Sequence, residues 1–236
     1  SWVNKNTNGM IKKLVDEFDP LTVMVLMNAL CLEAEWSDPY TDNCVSDGTF
    51  KNAKGNLVKA EYMYSQETEY IETENATGFV KYYKGGKFAF VALLPNEGTS
   101  IDSYIASLTG KGFLSALNSR KNTQVNTQMP KFKCEYSNSL VDTLKKMGMS
   151  TAFDWDRANF SSMATLKNEN IYISDVIHKT FIEVAEKGTR AGAVTAVISE
   201  KSAAMPVEQP KEVRLTRPFV YAIIAVSYTH LTLPTI

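Results

Sequence analysis

The stretch that most constrains this chain of 236 residues lies between residues 171 and 210. Residues 171–184 alternate apolar and polar side chains over the length of a long β-strand. Directly behind them comes Glu186-Lys187-Gly188-Thr189-Arg190-Ala191-Gly192-Ala193-Val194-Thr195-Ala196-Val197-Ile198, without a proline and almost entirely small or β-branched. Taken two at a time, Thr189, Ala191, Ala193, Thr195 and Val197 make one face, small enough to enter a crowded sheet interior. Arg190, Gly192, Val194, Ala196 and Ile198 make the other, which tolerates a charge at Arg190 if that side chain points to solvent. Residues 199–210 then turn polar and end on Pro210, the composition of an exposed loop. A flexible Ala/Gly linker is the simpler reading of the small residues. A linker, however, gives no reason for a glycine hinge directly after a buried strand, or for β-branched residues as far as Ile198.

The rest of the chain supplies short elements of both kinds. Residues 2–18 place Met10, Ile11, Leu14, Val15 and Phe18 at helical spacing, and Asp19-Pro20 stops the pattern. Residues 21–32 are apolar throughout and predict a strand buried on both faces. Asn28 in its middle is anomalous, because a buried amide costs energy unless it is hydrogen-bonded. Strands are predicted at 49–50, 58–63, 70–71, 78–83, 87–94 and 123–129, with Lys84-Gly85-Gly86 as a hairpin turn. Residues 100–117 predict two short helices broken at Gly110 and Gly112, and 137–147 an amphipathic helix ended by Gly148. Residues 212–215 and 219–226 predict two further strands. Helices and strands interleave without a regular βαβ rhythm, so the fold class is α+β.

Composition and motifs argue against several chemistries. The net charge is −1 and 44% of residues are apolar, which points to neither nucleic acid nor an anionic membrane surface as partner. The apolar run at 23–32 is half the length of a membrane span. Cys31, Cys44 and Cys134 are too few for a disulfide framework or a zinc site, and Cys31 reads as a small core residue. Only His178 and His230 are available as imidazole bases, and no G-x-S-x-G elbow accompanies them. No P-loop, dinucleotide fingerprint, H-E-x-x-H or calcium loop occurs. His178 reads as a hydrogen-bonded core residue, and the acidic pairs Asp154/Asp156 and Glu67/Glu69 as solvated turn residues. Asn75-Ala76-Thr77 and Asn159-Phe160-Ser161 match the weak glycosylation pattern. The chain is therefore not expected to be an enzyme, and neither a metal nor a cofactor is expected.

Several ordered motifs carry a family likeness. Glu186-Lys187-Gly188-Thr189 followed by small residues resembles the inhibitory hinge of the serpins, the serine protease inhibitor family. Ser174-Asp175-Val176-Ile177-His178-Lys179 resembles the strand leading into that hinge. Asn28-Ala29-Leu30 with Trp36 resembles the third strand of the family's central sheet and the "breach" tryptophan at its top. Pro130-Lys131-Phe132, residues 144–149, Ala158-Asn159-Phe160-Ser161 and Arg217-Pro218-Phe219 match further landmarks in the right order. The resemblance is to the C-terminal two-thirds of an inhibitory, bacterial-like serpin, over residues 1–226. It implies a large central mixed sheet with surrounding helices, further β-sheets and an exposed reactive-centre loop, the N-terminal helices being absent. Residues 227–236 do not resemble the closing strand and are expected to be a non-native tail.

The likeness also implies roles. Asn28 and His178 would pair in the "shutter" and so remove the anomaly of a buried amide. Glu186 to Ala193, that is Glu186, Lys187, Gly188, Thr189, Arg190, Ala191, Gly192 and Ala193, would form the hinge. Forward counting from the hinge puts the scissile bond at Ser202-Ala203; backward counting from Arg217-Pro218-Phe219 puts it at Val207-Glu208. Both sites offer a small residue and favour an elastase-like or subtilisin-like partner, and cleavage after Lys201 by a trypsin-like enzyme is the alternative. The implied protein is an extracellular monomer that traps a serine protease as a covalent acyl complex. A non-inhibitory serpin acting as chaperone or carrier, and an inactive fragment, are the competing readings.

Overall fold

The computed structural model describes residues 2–15, 17–18, 22–164, 170–189 and 209–226. In chain order the elements are α1 (Trp2–Asn6), β1 (Met24–Cys31), β2 (Ala34–Glu35), β3 (Val45–Lys51), β4 (Leu57–Glu72), β5 (Ala76–Tyr82) and β6 (Phe88–Pro95). There follow α2 (Ile101–Ser107), α3 (Gly110–Asn118), β7 (Lys121–Pro130), β8 (Phe132–Ser139) and α4 (Val141–Lys146). The series ends with β9 (Ile173–Ala185), β10 (Gly188–Thr189), β11 (Lys211–Arg214) and β12 (Val220–Ala225). This is an α+β architecture. It divides into two compact units, residues 1–32 with 133–183, and residues 33–132 with 184–236.

In the first unit β1 lies parallel to β9, with Asn28 opposite His178 and Cys31 opposite Phe181. β8 also pairs with β9. Val3, Met10 and Ile11 pack with Leu14, Ala29, Cys31 and Phe181. Phe153, Ile173 and Val176 pack with Met24, Leu140 and Leu144. Three sequence expectations need correction here. The helix expected over 2–18 ends at Asn6, because Asn8 and Gly9 adopt left-handed backbone (φ 47° and 76°) and Thr7 turns the chain through its hydroxyl. The helix expected over 137–147 is only six residues long, because 137–139 continue β8. Nor is β1 buried on both faces: Leu26, Met27, Asn28 and Leu30 are exposed, since the described packing reaches this strand only through Met24, Ala29 and Cys31.

In the second unit a sheet runs β11-β7-β4-β5-β6-β12, with β3 also on β4. β4 is one strand of 16 residues where the sequence predicts two, because its halves find different partners: β3 over 57–63 and β5 over 69–72. Gly85 and Gly86 (φ 83° and 65°) make the tight β5–β6 turn that only glycine adopts at low cost. The helices α2 and α3 cover the sheet, burying Tyr104, Ala116 and Leu117 against Ile71, Val80, Val91 and Leu93. Ser100 and Thr109 cap them through backbone N–H of Ser103 and Gly112, so the break falls at Leu108–Thr109 and Gly110 opens the second helix.

Candidate functional site: the turn after strand β9

The last two residues of β9 turn back through Glu186-Lys187 into β10. Gly188 and Thr189 pair antiparallel with Ala185 and Val184 on one side, and with Glu35 and Ala34 of β2 on the other. The start of the segment singled out in the sequence is thus already a strand with two neighbours. Gly188 is required for it. Its φ is 149°, and a Cβ there would stand 2.1 Å from the Ala34 carbonyl oxygen and 2.7 Å from the Glu35 Cα. Thr189 has no solvent exposure, and its hydroxyl lies 2.6 Å from the Tyr83 hydroxyl.

The turn between β9 and β10 is gripped by one short segment. Trp36 N–H donates to the Lys187 carbonyl (3.0 Å), the Trp36 indole N–H to the Ala185 carbonyl (2.9 Å) and Tyr40 N–H to the Glu186 carbonyl (2.9 Å). Trp36 is itself buried and stacked on Tyr83 at a centroid distance of 4.4 Å. The Glu186 carboxylate pairs with Lys131, which also reaches Glu61 at 3.0 Å. Burial pushes the Glu186 carboxyl up, but the Lys131 hydrogen bond and charge, a backbone hydrogen bond and Lys187 outweigh it and hold the group below its ordinary value. Lys131 is raised, first by its hydrogen bond to Glu186.

In the first unit Asn28 Nδ2 donates to His178 Nδ1 at 3.1 Å. The contact is exposed on the Asn28 side and half-buried at His178, rather than sunk in a core. Glu186, Lys187, Gly188, Thr189 and Trp36 therefore meet around one turn. Arg190, Ala191, Gly192 and Ala193 lie outside the described residues, as do Lys201, Ser202, Ala203, Val207 and Glu208 and the tail 227–236. Asp154 makes a turn by accepting from Asp156 and Arg157 N–H. Glu67 and Glu69, read from the sequence as solvated, are instead ion-paired within the sheet, with Lys81 (2.7 Å) and Arg120 (3.2 Å). Sequence reasoning did not single out Tyr40, Lys81 or Tyr83. Lys131 was visible only as part of Pro130-Lys131-Phe132.

The family profile of the serpins (serine protease inhibitors) matches residues 1–232. The chain belongs to the serpin family. A serpin-like protein of Thermococcus kodakarensis is 33% identical over 222 residues, covering 94% of this chain and 51% of that protein. Serpin B10 of Bos taurus is 34% identical, covering 94% of this chain and 57% of the relative. The chain thus spans about half the length of the curated serpins it matches. Among solved serpins, native tengpin, a thermophilic member, superposes with a TM-score of 0.87 at 45% identity, over 97% of this chain and 58% of tengpin. Human thyroxine-binding globulin gives 0.79 at 25% identity, over 95% of this chain and 58% of the globulin. Among the described residues of this serpin, no His, Cys, Asp and Glu side chains group to hold a metal ion, and no helix is long and apolar enough to cross a membrane.

Proposed function

We propose that the full-length serpin of which this chain is part inhibits serine proteases as a suicide substrate. The observation that carries the reading is the two-sided pairing of Gly188 and Thr189, a strand begun directly before the small-residue segment of the sequence. A protease serine Oγ attacks a loop carbonyl, and the peptide bond breaks as the amine leaves with a proton, so the N-terminal part of the loop stays esterified to the enzyme. Residues 190 onward then extend β10 as a new strand.

Strand polarity supports that extension. β1 and β9 are parallel to each other and β10 is antiparallel to β9, so a strand extending β10 between them runs antiparallel to both. One parallel ladder is exchanged for two antiparallel ladders, and the antiparallel kind is slightly the more stable per residue. Asn28 and His178 part to about 9–10 Å, two strand spacings. Small side chains at Ala191, Ala193 and Thr195 suit that passage, and the attached protease is carried along and distorted before it can deacylate. On this reading Glu186, Lys187, Gly188, Thr189, Arg190, Ala191, Gly192 and Ala193 are the hinge. The cut falls among Lys201, Ser202, Ala203, Val207 and Glu208, elastase-like or subtilisin-like enzymes being the favoured targets. The protein acts as an extracellular monomer without catalytic activity of its own.

The test is a stable complex. Full-length protein mixed with subtilisin or elastase should give a complex that survives SDS, whose mass identifies the cut bond. Thr189→Arg, which forces a charge into a fully buried strand position, should leave the loop cleaved and the protease free. Wild-type protein that is only cleaved by every serine protease class tried would overturn the reading and return the non-inhibitory alternatives.

A further inference from the structure

Lys81 is the one charged residue among the described residues that is buried, at 1% exposure. A buried ammonium persists only when its surroundings replace water. Here Glu67 Oε1 lies 2.7 Å from Nζ, and the same oxygen accepts from Ser65 Oγ at 2.6 Å. Ser65 Oγ is also within 2.8 Å of Thr127 Oγ1 and 3.3 Å of the Tyr40 hydroxyl. The remaining faces of the ammonium meet two aromatic rings, Tyr40 at 4.5 Å from the centroid and Trp36 at 5.6 Å. Burial, and then the Glu67 charge, push the Tyr40 phenol far above its ordinary value, so it stays a neutral ring over the cation.

Those two rings are not arbitrary neighbours. Trp36 and Tyr40 supply all three N–H groups that hold the turn at Ala185, Glu186 and Lys187. We infer that Lys81, neutralised by Glu67, is a positioning residue for the hinge: its cation holds the faces of Trp36 and Tyr40, and through them the turn at residues 185–187 that precedes the proposed bait loop. The inference deepens the inhibitor reading and rests on it for its biological meaning. An ordinary core ion pair would stabilise β4 and β5 and nothing more. A cation–π clamp has a directional consequence instead, because its loss removes a contact from two rings whose own backbone N–H groups face the turn.

Amide hydrogen exchange of the full-length protein separates the two. In Lys81→Met/Glu67→Gln, the pair becomes neutral at similar volume and position 67 still accepts from Ser65. Exchange at the Trp36 and Tyr40 amides should speed up at least tenfold, while the β6 amides stay at wild-type rates. No acceleration at Trp36 and Tyr40, or an equal acceleration throughout the sheet, overturns the inference. Should that variant fail to fold, a second pair decides. Tyr40→Phe keeps the ring face and should leave the Trp36 and position-40 amides unchanged, whereas Tyr40→Leu should accelerate both. Equal rates in the two overturn the inference. A negative exchange result leaves the inhibitor reading standing. Absence of a trapped protease would sink that reading and leave the exchange result untouched.

Discussion

At Gly188 and Thr189 one atom decides what the backbone can do. A methyl group at 188 meets the Ala34 carbonyl at 2.1 Å in a left-handed conformation, so Gly188→Ala must give up either the turn or the pairing with β2. The expected cost is about 1–3 kcal/mol, the usual range for a strained backbone position, read as a lower urea midpoint with unchanged slope. Glu186 and Lys131 make a second prediction, in pH. A lowered carboxylate value stabilises the fold above the ordinary value and loses that contribution as pH falls through the folded one. A raised ammonium value contributes below its ordinary value and is lost as pH rises through the folded one. The pair therefore works in full between the two ordinary values, about 4.3 and 10.4. Lys131→Met should lower stability at neutral pH by about 0.2–1 kcal/mol, as partly exposed pairs do, and by less at about pH 3. An equal loss at both pH values would place the effect in packing. Residue chemistry of this kind was half legible in the sequence. Gly188 and Thr189 stood out by size, but nothing near Glu67 announces Lys81, because the two meet only once β4 and β5 are side by side.

At the level of elements, alternation found the strands and failed at their ends. β6 was readable as an apolar run because both its faces are buried from Ala89 to Pro95, and β9 because its buried residues, Ile173, Val176, Ile182 and Val184, are apolar. β4 was split in the reading because residues 64–69 alternate in exposure, with polar side chains that carry no apolar signal. β1 was read correctly as a strand and wrongly as fully buried, since an apolar run does not say whether the chain supplies its cover. The Asn28–His178 contact belongs to this scale, because it ties β1 to β9. Asn28→Ala should reduce stability by only about 0.5 kcal/mol, the low end for a hydrogen bond, given the exposure of Asn28. A loss above 2 kcal/mol by chemical denaturation would mean that the pair lies buried in the full-length protein.

For the whole molecule, the proposed function turns on the two-sided pairing of Gly188 and Thr189 in β10, the strand that the bait loop would lengthen. Fold and family were legible because ordered motifs from Asn28 to Arg217 carry them. The proposed use of the fold rests on the small side chains after Gly188, which lie outside the described residues. The most direct measurement is amide exchange and thermal unfolding of the full-length protein before and after a single cut within residues 201–208. If the loop joins the sheet, amides from Arg190 onward become protected in the cut protein while β1 and β9 stay protected, and the melting temperature rises. Fast exchange at those amides after cutting, with an unchanged melting temperature, would contradict the account.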